Sequence, residues 1–288
     1  MSDSEQWPPL VYNIICGRKL EALRLRARLT QQDVAKQMDV SQSKVTTIES
    51  AGSSVDPRYL DALLDLYEAD TASREECRRL AKLGKPRRIR GLLRSHFTGG
   101  MQDVIDMEGS ANTIWVHNSM LVHGLLQTES YMRYVFRAYR PSLTAEQIDQ
   151  ATADRLARQA VLDNPNQHFW FLVDEAALCR MNSMDGGSEI MREQIERLMK
   201  AVDLPNIEVQ VVPFDHGYYV GEQEDYWIFG YDADLPVYAA SVEQYDGVST
   251  VRDTRKIGRF LNLWDHQKAA ALGPEQTRSF LRRMARSL

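Results

Sequence analysis

Residues 29–49 read Leu29-Thr30-Gln31-Gln32-Asp33-Val34-Ala35-Lys36-Gln37-Met38-Asp39-Val40-Ser41-Gln42-Ser43-Lys44-Val45-Thr46-Thr47-Ile48-Glu49, and the organisation of the N-terminal third follows from them. Thr30 with Asp33 three residues later is the pattern of a helix start, in which the carboxylate reaches back to the cap's own N–H. Val34, Ala35 and Met38 then fall at helical spacing. Asp39-Val40 makes a turn, aspartate being among the few residues besides glycine that tolerate left-handed backbone. Ser41 caps a second helix with a narrow apolar seam, Val45 and Ile48. Ala35 is small where the two helices should cross, so their backbones can approach closely.

The rest of the second helix is polar, short to medium in reach and mostly neutral: Ser41, Gln42, Ser43, Lys44, Thr46 and Thr47. Such residues read base edges. Glutamine pairs with adenine, lysine with guanine or a phosphate, and threonine touches the thymine methyl. An isolated amphipathic helix more often turns such a face to solvent. Here the whole order of cap, helix, turn, cap and helix is present, which is the order of a helix-turn-helix. Gln31 and Gln32, opening the first helix of the pair, join the candidate DNA contacts.

The flanks extend the pattern. Leu20 and Leu23 lie on a preceding helix, expected over about 11–27, and Asp56-Pro57 starts a later one with a capping aspartate and proline at the first helical position. Leu60, Leu63, Leu64 and Tyr67 then form a buried stripe, and residues 73–83 make a fifth helix with Cys77, Leu80, Ala81 and Leu83 inward. The run from Leu20 to Tyr67 resembles the helix-turn-helix domain of the XRE (Cro/repressor-like) transcription factors, which implies a mainly α, five-helix, lambda-repressor-like bundle over residues 10–84. Two positions depart from that family. Arg28 stands where the first helix usually ends on glycine, and the glycine after the reading helix appears in Ala51-Gly52, displaced by one.

A net charge of −5 looks unsuited to DNA until it is divided along the chain. Residues 1–90 carry 16 Lys and Arg against 13 Asp and Glu, a surplus of three positive charges. Residues 91–288 carry 19 against 27, an excess of eight negative charges. A basic reader joined to an acidic body fits. Arg18, Arg24, Arg26, Arg28 and Lys36 are candidates for phosphate contacts. The basic run Gly84-Lys85-Pro86-Arg87-Arg88-Ile89-Arg90-Gly91 breaks the helical pattern and reads as a linker over residues 85–100. At 288 residues and 43% hydrophobic the chain can bury two cores. No apolar run is long enough to span a membrane. No secretory signal is visible, and Cys16, Cys77 and Cys179 are too few and scattered for a disulfide framework. The expected location is the cytoplasm.

Residues 101–288 are expected to form an α+β domain with a small sheet and flanking helices. Residues 101–140 read as helical, with Val104, Ile105, Glu108, Trp115 and Val116 in one segment and Leu121 through Tyr139 in the next, Thr128 being a cap. Another helix runs from Ser142-Leu143-Thr144 to Leu162. Four strands follow from aromatic and β-branched runs: 168–173, 207–212, 226–231 and 237–242. Helices are expected over 188–202, 250–271 and 274–287.

Four ordered stretches in this half carry a second resemblance: His123-Gly124-Leu125-Leu126-Gln127-Thr128, Arg155 through Leu162, Phe169 through Leu178, and Glu193 through Leu198 onward to Leu204-Pro205-Asn206 and Val212-Pro213-Phe214. Together they look like the C-terminal domain of actinobacterial WhiJ-like regulators, often described as antitoxin-like. The resemblance implies a DNA-binding regulator whose effector is a small protein encoded by a neighbouring gene. His123 stands where that family usually has proline, and Val237-Tyr238-Ala239-Ala240 lacks a glutamate common there.

Catalytic chemistry is not legible. The six histidines lack metal-ligand spacing. Asp174-Glu175 at a strand end reads as a helix cap rather than a catalytic pair. Gly186-Gly187-Ser188 lacks the motif that would make it an anion cradle. Trp170, Tyr218, Tyr219, Tyr226 and Trp227 are either core or the lining of a small-molecule pocket. The expectation is a homodimeric, sequence-specific regulator of double-stranded DNA, without cofactor, metal or membrane partner. Phe260, Leu261, Leu263, Trp264, Phe280 and Leu281 are candidates for the dimer interface. The rivals are an antitoxin that neutralises a partner and represses its own operon, and an enzyme domain tethered to DNA.

Overall fold

The computed structural model describes residues 7–52, 54–85, 100–181, 186–231, 237–244, 247–251 and 253–288. The chain divides into two compact units, one of residues 1–91 with 232–239 and 251–257, the other of the remainder. The expected basic linker lies mostly outside the described residues.

In the first unit, five helices follow one another: α1 (Pro9–Arg26), α2 (Gln31–Gln37), α3 (Gln42–Glu49), α4 (Pro57–Leu66) and α5 (Thr71–Leu83). Starts and stops are written locally. Thr30 and Asp33 form the expected capping box, Ser41 accepts from Lys44 N, Asp56 caps α4 ahead of Pro57, and Asp70 caps α5. Tyr12, Cys16, Leu20, Leu23, Val34, Val45, Ile48, Leu60, Leu63, Leu64 and Leu80 make one core.

The exits of α1 to α4 share one geometry. Arg28, Asp39, Ala51 and Glu68 all have φ between 50° and 58°. Each is followed by a residue whose N–H returns to a carbonyl five positions back: Leu29 to Arg24, Val40 to Ala35, Gly52 to Thr47 and Ala69 to Leu64. Gly52 is therefore displaced from the left-handed position itself, which Ala51 holds. A non-glycine residue there costs about 1–2 kcal/mol. Exposed Glu68 gives a clean test. Glu68→Gly is expected to raise thermal stability by about 1 kcal/mol, a few degrees in Tm, without altering DNA binding. Arg28→Gly should stabilise similarly while removing one exposed cation. A Glu68→Gly melting curve at or below that of the parent protein would contradict the strain argument.

Beyond α5 the chain continues with α6 (Met101–Glu108), β1 (Thr113–Asn118), α7 (Glu129–Tyr139), α8 (Ala145–Arg158), a 3-10 turn over Gln159–Asp163, β2 (His168–Asp174), α9 (Glu175–Cys179), α10 (Gly187–Ala201), β3 (Ile207–Val212), β4 (Tyr226–Tyr231), β5 (Val237–Gln244), β6 (Gly247–Val251), α11 (Thr254–Ala270) and α12 (Pro274–Ser287), most of it in the second unit. The strands form one sheet in the order β3-β2-β1-β4-β5-β6. β1, β2 and β3 are parallel, with Val116 opposite Phe171 and Phe171 opposite Val209, whereas β4 runs antiparallel to β1, Trp227 opposite Val116. The α+β architecture agrees with its sequence.

Three local expectations do not. Trp115 and Val116 belong to a central strand, not a helix, and Leu121 through Gln127 is irregular backbone. β1 alternates only over Thr113–Val116 and is buried throughout its last three residues, so its period of two is cut short. Gly109-Ser110 had ended the helix before it. The irregular stretch is held by side chains: Gln127 Nε2 donates to Val122 O (2.7 Å), Gln194 Nε2 to Leu126 O (2.8 Å), and Gln159 Nε2 to Gly124 O and Gln127 O (3.0 and 2.8 Å). These bonds supply the partners that buried loop backbone requires. The third correction is Thr250, which lies in β6, so α11 begins only at Thr254. On the outer edge of the sheet, Leu272 N donates to Val211 O (2.8 Å) and Val211 N to Thr277 Oγ1 (3.2 Å), which closes β3 to further pairing.

Candidate nucleic-acid interface

Val45 and Ile48 turn α3 inward, and Ser41, Gln42, Ser43, Lys44, Thr46 and Thr47 are exposed. The expected polar row therefore stands on one accessible face. Within it, Ser41 Oγ and Ser43 Oγ are 2.9 Å apart, and Thr47 Oγ1 donates to Ser43 O at 2.8 Å. Lys44 Nζ rests 4.0 Å from the centre of the Tyr59 ring, an exposed cation–π contact worth about 0.5–1 kcal/mol. That is weak enough for the ammonium to swing to a phosphate or base.

The helix is fixed from behind by a buried ion pair. Arg24 Nε donates to Glu49 Oε1 at 2.6 Å and Nη2 to Oε2 at 3.0 Å, while Nη1 donates to Leu29 O at 2.8 Å. Both side chains are almost fully buried, 7% and 4% exposed. This corrects the expectation for Arg24. A guanidinium bonded through Nε, Nη1 and Nη2 and only 7% exposed has almost no surface to offer a phosphate, and it ties α1 to the end of α3 instead. Its hydrogen bonds to Glu49 hold the guanidinium above its usual pKa.

Gln31 extends the same network outward. Its Nε2 donates to Glu49 Oε2 (2.8 Å), and its Oε1 accepts from Thr46 Oγ1 (2.9 Å). Gln31 is thus half-buried and committed, whereas Gln32 is exposed. Of the candidate phosphate contacts, Arg26, Arg28 and Lys36 are exposed, Arg26 lying 3.5 Å from Asp70. Arg18 is half-buried.

Gly17 was missed by sequence reasoning. A Cβ there would stand 2.3 Å from Glu49 O, so α1 can cross the end of α3 only at glycine. Glu49 carried a signal, being a carboxylate beside Ile48 at the inward end of the seam, where a buried charge requires a partner.

In the second unit, the aromatic run does not gather into one pocket. Tyr218 is exposed, Trp170 packs edge-on against Trp264 under Lys268, and Tyr226 hydrogen-bonds Gln267 (2.6 Å). Asp174 caps α9 through Ala176 N (2.7 Å), as expected, and also accepts from Tyr219 Oη (2.8 Å), which lies 3.1 Å from His117 Nε2. None of these three lines the large pocket of this unit. Trp227 does, donating to His123 Nε2 at 2.6 Å. Burial, with Arg158 and Arg155 nearby, holds that imidazole well below its usual pKa and therefore neutral.

A capped polar helix, presented on a five-helix bundle and locked from behind, defines a helix-turn-helix DNA-binding domain. Residues 16–77 match the family described as helix-turn-helix domain, and residues 101–283 match the domain of unknown function DUF5753. The second match covers well over half of the chain, and the protein belongs to the DUF5753 family. No curated protein and no solved structure matches it. No helix among the described residues is long and apolar enough to cross a membrane.

Proposed function

We propose that this DNA-binding regulator is sequence-specific and reads duplex DNA as a homodimer, with α3 of each copy in a major groove. The observation that carries the reading is the exposed row Gln42, Ser43, Lys44 and Thr47 on a helix whose other face is fixed by Val45, Ile48 and the Arg24–Glu49 pair. Gln42 at the first turn is placed to pair with adenine, and Arg26, Arg28 and Lys36 to meet phosphates. The acidic second domain contributes no attraction to the backbone, so non-specific affinity should be modest and fall steeply with salt.

A single α3 spans few base pairs, so two copies are proposed to read inverted half-sites about 34 Å apart or a multiple of that. Trp264 and Leu281 are buried in their own domain, which favours an interface built from other residues. The test is selection of bound sequences from a randomised duplex pool by the full chain, with sedimentation of the free protein and of the complex. The expected result is an enriched inverted repeat and a complex with two chains per duplex. No enriched motif would overturn sequence reading, and a single half-site bound by a monomer would overturn the dimer.

The ordered stretches shared with WhiJ-like regulators support a second domain that receives a signal. The sequence leaves two kinds of signal open, a small partner protein and a small ligand. We favour the ligand, because Trp227 and His123 line a pocket.

A further inference from the structure

That pocket has a volume of about 720 Å³, within the roughly 300–1,000 Å³ of small-molecule sites. It lies past the carboxyl end of β1, walled by residues 118–124, α7, α8 and the starts of β4 and β6. From β1 the chain builds β2 and β3 to one side and places β4 on the other.

Its charges are not matched to each other. Arg158 is closed on Glu108, Nε to Oε2 at 2.7 Å. Among the described residues, no carboxylate stands within ion-pair distance of Arg155. Its Nη1 donates to Gln127 Oε1 (2.7 Å), and its guanidinium carbon sits 4.4 Å from the centre of the Phe136 ring. Its Nε is shut off from solvent with no partner, an unfavourable state for a buried donor. Burial, with Arg158 nearby, presses this guanidinium down to about 10. Gly124 contributes no side chain on that side, where a Cβ would already be 3.6 Å from Nε.

Glu243 faces the same cavity, near enough for its charge and that of Arg155 to act on each other. Among the described residues, however, the two form no ion pair, and Glu243, itself exposed, turns its carboxylate to the cavity without a side-chain hydrogen bond. Asp225 lies in the same wall, its Oδ1 taken by Ser119 N (2.6 Å) and Oγ (2.9 Å). A purely structural Arg–Glu couple would close. Here a cation with a buried, unpartnered Nε stands on one wall and the solvent-exposed carboxylate of Glu243 on another, an arrangement that fits a guest whose carboxylate satisfies Arg155 and whose ammonium meets Glu243.

We propose that the pocket binds a small zwitterion of the amino-acid type, its carboxylate on Arg155, its ammonium on Glu243 and Asp225, and its apolar part against Phe136, Tyr139 and Trp227. The assignment rests on the reading of the second domain as the one that receives a signal, but binding is a property of that domain and is measured without DNA.

The experiment is calorimetric titration of the full chain with L-leucine, L-phenylalanine, L-tryptophan and glycyl-L-phenylalanine, and with the N-acetyl and methyl-ester form of each. At least one zwitterion is expected to bind at one site per chain, and each masked form to bind at least tenfold more weakly. Glu243→Gln, at a cavity-facing position that leaves the core intact, should weaken binding at least tenfold with an unchanged melting curve. Arg155→Gln should do the same. If that variant unfolds, Glu243→Gln decides. Failure of all four zwitterions to bind at millimolar concentration, equal binding of an N-acetyl form, or unaltered affinity in Glu243→Gln overturns the proposal. DNA selection by the same protein can succeed in each of those cases, so failure of the ligand site and failure of the DNA reading are distinguishable.

Discussion

Arg24→Ala is expected to destabilise the helix-turn-helix domain by about 3–5 kcal/mol, the usual cost of stranding one member of a buried ion pair. Glu49 would keep only the Gln31 amide as a partner, at a site where its side chain is 4% exposed. A small domain has about 5–15 kcal/mol in total, so the loss should remove a large share of its stability and lower its unfolding midpoint markedly. Thermal and urea unfolding followed by circular dichroism measure this directly. The double variant Arg24→Met with Glu49→Leu should recover most of the stability, since apolar replacement of a whole buried pair is often neutral. It should still bind DNA more weakly, because Gln31 then loses the carboxylate that orients it toward Thr46. The phosphate-contact reading of Arg24 expects the opposite pattern, an intact fold with uniformly reduced, less salt-dependent affinity. A loss below about 1 kcal/mol, typical of a surface pair, would rule out the positioning role.

Joint replacement of Gln42, Ser43, Lys44 and Thr47 by alanine is expected to abolish sequence preference while leaving the domain folded. All four side chains are exposed and Ser41 keeps its cap, and alanine is the best helix former. Specific sites are typically bound about 10³–10⁷ times more tightly than random duplex, and that ratio should collapse toward one. Residual binding should remain salt-dependent, carried by the exposed arginines and Lys36. The measurement is competition between the selected site and a scrambled duplex at fixed ionic strength. A variant that still prefers its site would show that another surface reads the bases.

The N-terminal unit was legible because its information is short-range. A capping box spans three residues, a helical seam repeats every three or four, and the exits at Arg28, Asp39, Ala51 and Glu68 close through bonds five residues long. In the second domain, the strands β2 to β5 were readable from dense aromatic and β-branched runs. β1 was not. It lies between two neighbours at the centre of the sheet, and burial of its last three residues left only four that alternate. The stretch after it looked helical because its leucines are spaced like a helix, yet its backbone is held by glutamines 32 to 68 residues away.

By itself, the sequence determined that a capped two-helix reader sits in the basic third of the chain and that an α+β body follows. Those conclusions rest on interactions between near neighbours, whose energies depend on residue type and spacing alone. Only the tertiary structure decided what charged groups do. Arg24 and Glu49 are 25 residues apart and meet inside the bundle, so a cation expected on DNA became a fastener of the reading helix. Arg155 and Glu243 come from α8 and β5, and sequence could not tell whether they would close on each other or stay open across a cavity. The worth of a charge depends on its partners and on the water it has lost, and both are set by chain segments that have no fixed spacing in the sequence.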